Sequence, residues 1–264
     1  MTQLMRELIA MWRNTRMVVL TAITAALYAA ILIPFKVMPI IPGITELRPA
    51  NAIPVVCSFL FGPAAAWGAA IGNVIGDFFG GFGPGDFFGF FGNLLYGLVP
   101  YKLWPAVGGA DPVPRGGAGW LRFGLVAGVA SLLCAVTVGW GLNLMGFHPF
   151  SLLAPVVFVN SFVMVMLLAP VLLAVLYPRV SRGRLLYRDV LEVQAVSGLR
   201  CWLGLGLVLL GTTGGFVVGN LLSLGWWEPA WLPGAGQAQG THAMAVGLGV
   251  APFLTVVLVG LALL

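Results

Sequence analysis

The stretch GITELRPANAIP at positions 43–54 sets Glu46, Arg48 and Asn51 close together in a chain that is 60% hydrophobic and only 8% charged. A guanidinium donates two parallel hydrogen bonds, which suits a carboxylate or the edge of a planar heterocycle. The plainer role for Arg48 is a pair with Glu46 or Asp77 that ties a loop down. More polar residues punctuate the apolar runs that follow: Asn73 and Asp77 one helical turn apart, Asp86, Asn93 with Tyr96, Trp140 with Asn143, and Asn160. Catalysis fits this set poorly. A Ser–His nucleophile needs its histidine on a span, and neither His148 nor His242 lies in one; no H-E-x-x-H motif and no paired intramembrane Asp occur. Binding of a small polar molecule is the chemistry these residue types support.

The elements that must position them are membrane helices. With a mean hydropathy of +1.02, the chain has too few polar side chains to cover a water-soluble globule. Runs such as SLLAPVVFVNSFVMVMLLAPVLLAVL show no alternation, which sets aside an outer-membrane barrel and predicts an all-α integral membrane protein. The run 17–34 follows the basic stretch RELIAMWRNTR without a small-residue cleavage site, so it reads as a retained span. Cys57, Cys134 and Cys201 share no metal or redox spacing and read as buried small hydrophobes. Nothing in the net charge of +5 points to nucleic acid.

The segment 50–79 is too long for one crossing, and Phe61, Gly62 and Pro63 offer a break, since Gly ends helices and Pro starts them. Splitting it there predicts spans near 17–35, 49–61, 64–79, 87–104, 120–143, 150–176, 201–224 and 245–264. With both termini cytoplasmic in the cell (inner) membrane, eleven of thirteen basic residues then face inward, leaving Lys36 and Arg48 outside. The organisation is a six-span domain over 1–176, a basic cytoplasmic linker with an interfacial helix over 177–200, and two further spans over 201–264. Trp226, Trp227 and Trp231 read as interface anchors in an outer loop.

On this topology most intramembrane polar groups lie toward the outside, while the inner halves of the same spans hold almost no ionisable group. A single Asn reads most simply as helix-to-helix hydrogen bonding, but the asymmetry of the set predicts an outward-facing polar pocket. Along the first span, Ala22, Ala26 and Ala30 fall in register, beside a stripe of Ala25 and Ala29. Small residues at this spacing let another helix approach closely, either within the bundle or from a partner.

The sequences AALYAA, TELRPANAIP and FGPAAAWGAAIGNVIGDFFGG resemble those of the substrate-binding S components of energy-coupling factor vitamin transporters, nearest to the queuosine-precursor and riboflavin types, over residues 17–176. The resemblance implies a six-helix bundle, here with two extra C-terminal helices, that binds a vitamin-like molecule or cofactor precursor at the outer face. It implies no enzymatic activity and no cofactor or metal. It also implies partners: a membrane scaffold subunit, met by Ala22, Ala26 and Ala30, and two cytoplasmic ATPases, since the chain shows no G-x-x-x-x-G-K-[ST] pattern of its own. In that light Glu46, Arg48, Asn51, Asn73, Asp77, Asn93, Tyr96, Trp140, Asn143 and Asn160 are the expected substrate-binding residues, with 36–48 as a loop over the pocket. The alternative is a self-sufficient ion-coupled carrier of a small polar metabolite, with Asp77 as its proton or sodium site.

Overall fold

The computed structural model describes residues 3–41, 45–109, 111–191, 198–232 and 242–264. Ten helices follow in order among them: α1 (Gln3–Ala10), α2 (Thr15–Phe35), α3 (Ala52–Phe61), α4 (Pro63–Phe78), α5 (Asp86–Ala106), α6 (Gly116–Leu144), α7 (Phe150–Arg182), α8 (Tyr187–Val190), α9 (Leu199–Ser223) and α10 (Ala243–Leu263). Five segments, containing α2, α6, α7, α9 and α10, are long and apolar enough to cross a bilayer. The chain is an all-α integral membrane protein, apart from one small hairpin of Pro39–Ile41 against Thr45–Glu46 that the sequence reading did not expect.

Each boundary has a local cause. Asn14 caps α2, its side chain accepting from the backbone N–H groups of Arg16 and Met17. Gly62 ends α3 with φ +54°, a left-handed conformation that favours glycine, and Pro63 opens α4 where its missing N–H goes unneeded. The break therefore falls where the Phe61–Gly62–Pro63 run predicts it.

The depth of α3 differs from the expected short span. Its ten residues cover about 15 Å, half a bilayer core. It begins near the middle of the bundle, where the Tyr28 hydroxyl of α2 reaches both Asn51, just before α3, and Asn93 of α5, and descends to the end that carries α1. It is preceded by the hairpin and a short 3-10 turn over Pro49–Asn51. Ala50 and Asn51 of that turn are buried and Asn51 lines a cavity, the setting in which non-helical backbone is tolerated at membrane depth.

Close approach of α2 to α4 sets the frame. A Cβ on Gly72 would lie 2.7 Å from the Ala25 carbonyl oxygen, so only glycine admits this contact. Ala25 and Ala29 are buried there, while Ala22, Ala26 and Ala30 stay exposed on the other side of α2. Beyond α4, the order of packing runs α4 on α5, α5 on α6 and α6 on α7, with α3 tucked between α4, α5 and α7. Helices α9 and α10 form a tight pair laid against α6 and α7.

The expected cytoplasmic linker is shorter and more tightly held than its composition suggests. Helix α7 continues to Arg182, and the single turn α8 buries Tyr187 against Gly62 and edge-on to Tyr101. Positions 192–197 of that linker, 42–44 of the loop over the pocket and 233–241 of the Trp-rich loop lie outside the described residues. At the same end of the bundle, Glu7 of α1 pairs with Lys102 of α5 at 2.7 Å and accepts from the Tyr101 hydroxyl at 3.3 Å.

Candidate functional site

At the end of the bundle opposite α1, a cavity of about 140 Å³ opens between the loop and four helices. Each wall presents a stripe at helical spacing. Asn73 and Asp77 come from α4; Gly85 and Asp86 at the start of α5 lead to Gly89 and Asn93 along it; Cys134, Val138 and Leu142 come from α6; Leu153, Val157 and Asn160 with Ser161 come from α7. Arg48 and Asn51 enter from the loop. An apolar cavity of roughly 150 Å³ holds benzene, so this volume suits a small ring system.

The polar lining is organised by its own hydrogen bonds. Asn73 Nδ2 donates to Asp77 Oδ2 at 2.5 Å, which leaves Asn73 Oδ1 buried without a protein partner. Asn160 Nδ2 donates to the Glu46 carbonyl at 2.8 Å, pinning the loop to α7 and leaving Asn160 Oδ1 likewise unpartnered. Because a carboxylate and a carbonyl only accept, these bonds fix which way each amide faces. Asp86 Oδ2 accepts from the Gly83 backbone N–H at 2.6 Å. A Cβ at Gly89 would approach Asn73 Nδ2 to 2.9 Å, so α5 offers bare backbone in front of that amide.

Beneath the lining, the Tyr28 hydroxyl lies 3.0 Å from both Asn51 Oδ1 and Asn93 Oδ1, and its one proton serves one of them at a time. Asn51 Nδ2 donates to Ser161 Oγ at 2.9 Å, and Asn93 Nδ2 to the Gly89 carbonyl at 2.9 Å. Three segments distant in sequence, α2, the loop and α5, are therefore joined through one tyrosine, with α7 linked through Ser161.

Two ion pairs govern the charge. Arg48 Nε and Nη2 both lie 3.2 Å from Glu46 Oε2, with the two side chains about a quarter exposed. Lys36 Nζ lies 2.8 Å from Asp77 Oδ1, with both side chains nearly buried. The Arg48–Glu46 pair is one of the two plainer alternatives for Arg48; for Asp77 the partner is Lys36, which sequence reasoning placed only as an outer-loop cation.

Six of the expected substrate-binding residues, Arg48, Asn51, Asn73, Asp77, Asn93 and Asn160, meet at this cavity, and Glu46 adjoins it through Arg48. The other three sit elsewhere. Trp140 turns toward α10, donating from Nε1 to the Gly247 carbonyl at 2.9 Å. Asn143 donates to the His148 carbonyl at 3.4 Å and closes the corner after α6. Tyr96 is fully buried one turn deeper on α5 than Asn93. Trp140 stands two residues from both Val138 and Leu142, hence on the opposite side of α6 from the cavity stripe. Sequence reasoning missed Tyr28, Ser161, Cys134 and the Lys36 contact. The Tyr in AALYAA, the single polar residue in an alanine-rich helix stretch, was the available signal for the first.

Helices thus enclose a small polar cavity in a membrane protein, and no group of residues that could hold a metal ion occurs among the described residues. The chain belongs to the QueT transporter family, whose family model matches residues 18–178. That family consists of substrate-binding S components of energy-coupling factor transporters, of the queuosine-precursor type. The match ends within α7, so α9 and α10 lie outside it. Comparison with curated proteins and with solved structures gave no match.

Proposed function

We propose that this S component binds a small cofactor precursor of the queuosine-precursor class at the outer membrane face. It delivers the precursor inward as part of an ATP-driven importer. The observation that carries this reading is the convergence of Arg48, Asn51, Asn73, Asp77, Asn93 and Asn160 on one cavity sized for a ring system, within a chain of this family. The buried, unpartnered carbonyls of Asn73 and Asn160 each gain a hydrogen bond if the ligand brings N–H groups, as a nitrogen heterocycle does. On this reading the α1 end is cytoplasmic and the exposed Ala22, Ala26 and Ala30 stripe of α2 meets the scaffold subunit, which connects to two ATPases. The ion-coupled alternative draws less support, because its key carboxylate, Asp77, is already neutralised by Lys36.

Uptake separates the two. Cells making this chain alone should bind a queuosine precursor without accumulating it, and accumulation should appear when scaffold and ATPases are supplied. Accumulation by the chain alone, driven by a sodium or proton gradient and abolished in Asp77→Asn, would establish the carrier instead.

A further inference from the structure

Helix α1 and the 3-10 turn after it (Met11–Arg13) carry three distinct faces. Leu4 and Met11 are buried against the bundle, and the face is locked by the Glu7–Lys102 ion pair and by Trp67, whose Nε1 donates to the Leu8 carbonyl at 3.1 Å. About a third of a turn away, Met5, Ile9 and Trp12 recur at i, i+4 and i+7 and remain exposed at 48%, 47% and 43%. A further quarter turn on, Arg6 and Arg13 are exposed as well. A helix docked on one side, apolar on the next and basic on the third has the build of an element lying in the plane of a membrane surface.

The charge around it specifies the surface. Among the described residues, the α1 end of the bundle carries eleven Lys and Arg against Glu7, Asp111 and Asp189, whereas the cavity end carries Lys36 and Arg48 against four acidic residues. Asn14 joins this segment directly to α2, so the helix sits where the first span leaves the hydrocarbon. The Trp12 ring is held edge-on to Trp67, 5.6 Å between centroids, which fixes its direction.

We infer that α1 is an in-plane anchor for anionic phospholipid: Met5, Ile9 and Trp12 enter the boundary between acyl chains and headgroups, and Arg6 and Arg13 hold lipid phosphates. The anchor makes the α1 end lipid-selective independently of what the cavity binds. Each arginine near an anionic surface adds to the attraction, and the effect is screened by salt.

The test uses the full chain in bilayers of phosphatidylglycerol or phosphatidylcholine, each brominated near the top of the acyl chain, with Trp12 emission taken as the difference between the wild type and Trp12→Phe. The expected result is quenching by bromine, protection from aqueous iodide, and stronger quenching in phosphatidylglycerol at low salt. That preference should be lost in Arg6→Gln/Arg13→Gln, and bromine quenching itself should fall in Ile9→Gln. Quenching by iodide rather than bromine overturns the inference, as does equal quenching in the two lipids. Shielding of Trp12 from both quenchers, or only once a scaffold subunit is added, overturns it too and identifies the face as a protein contact.

Discussion

Lys36 Nζ lies 2.8 Å from Asp77 Oδ1, so the residue just after α2 is tied to the last turn of α4 on the wall of the cavity. The same carboxylate accepts from Asn73 through its other oxygen, which sets the orientation of a lining amide. A cation from the start of the loop thus organises a nearly buried carboxylate.

Breaking that pair from one side strands a nearly buried charge. Lys36→Met should destabilise the protein by about 3 kcal/mol, while Lys36→Met/Asp77→Leu should recover most of the loss because neither charge is left alone. Thermal melts of the three proteins in one detergent check this. Equal losses for the single and double variants would mean that the pair contributes nothing as a pair.

The two alanine stripes of α2 should behave oppositely. Ala25 packs against Gly72, and a large side chain there overfills the contact, so Ala25→Trp should cost at least 1–3 kcal/mol of stability. Ala26 is exposed, so Ala26→Trp should leave folding and ligand affinity intact while abolishing co-purification with scaffold and ATPases. Retention of the complex in Ala26→Trp would remove this stripe from the partner surface.

Trp140 donates to a carbonyl of α10 and stands off the cavity stripe of α6. Removing its N–H in Trp140→Phe should cost about 1 kcal/mol of stability, with ligand affinity unchanged within about two-fold. A ten-fold weaker affinity, measured by calorimetry, would place the indole in the binding site after all.

The legibility of the sequence tracked the physics of each feature. Helix cores were plain, because a bilayer imposes length and apolarity on every span, and the break at Gly62 was plain because Gly and Pro punctuate backbone directly. Membership of the polar site was only partly legible. Arg48, Asn51, Asn73, Asp77, Asn93 and Asn160 line the cavity, as polar groups in an apolar bundle face inward, but "inward" includes helix contacts as well as cavities, which is where Trp140 and Tyr96 fall. Lys36 was missed because its partner lies 41 residues away, a distance that only the α2–α4 contact closes. The depth of α3 was equally hidden: a ten-residue apolar helix reads as a short span, and only the bond from Tyr28, itself within reach of Asn93, to Asn51 just before α3 reveals that it begins midway.

The most direct test of the account is the affinity of Arg48→Ala for a queuosine precursor, measured by calorimetry alongside a melt of the same sample. Arg48 lines the cavity, and its pair with Glu46 is a quarter exposed, so that pair itself adds at most about 1 kcal/mol to stability. If the guanidinium holds the ligand, the variant should bind about thirty-fold to a thousand-fold more weakly, a loss of about 2 to 4 kcal/mol, with nearly the same melting temperature. Arg48→Lys should restore only part of the affinity, because an ammonium lacks the two-pronged geometry. An unchanged dissociation constant in Arg48→Ala, with or without a lower melting temperature, would contradict the binding site described here.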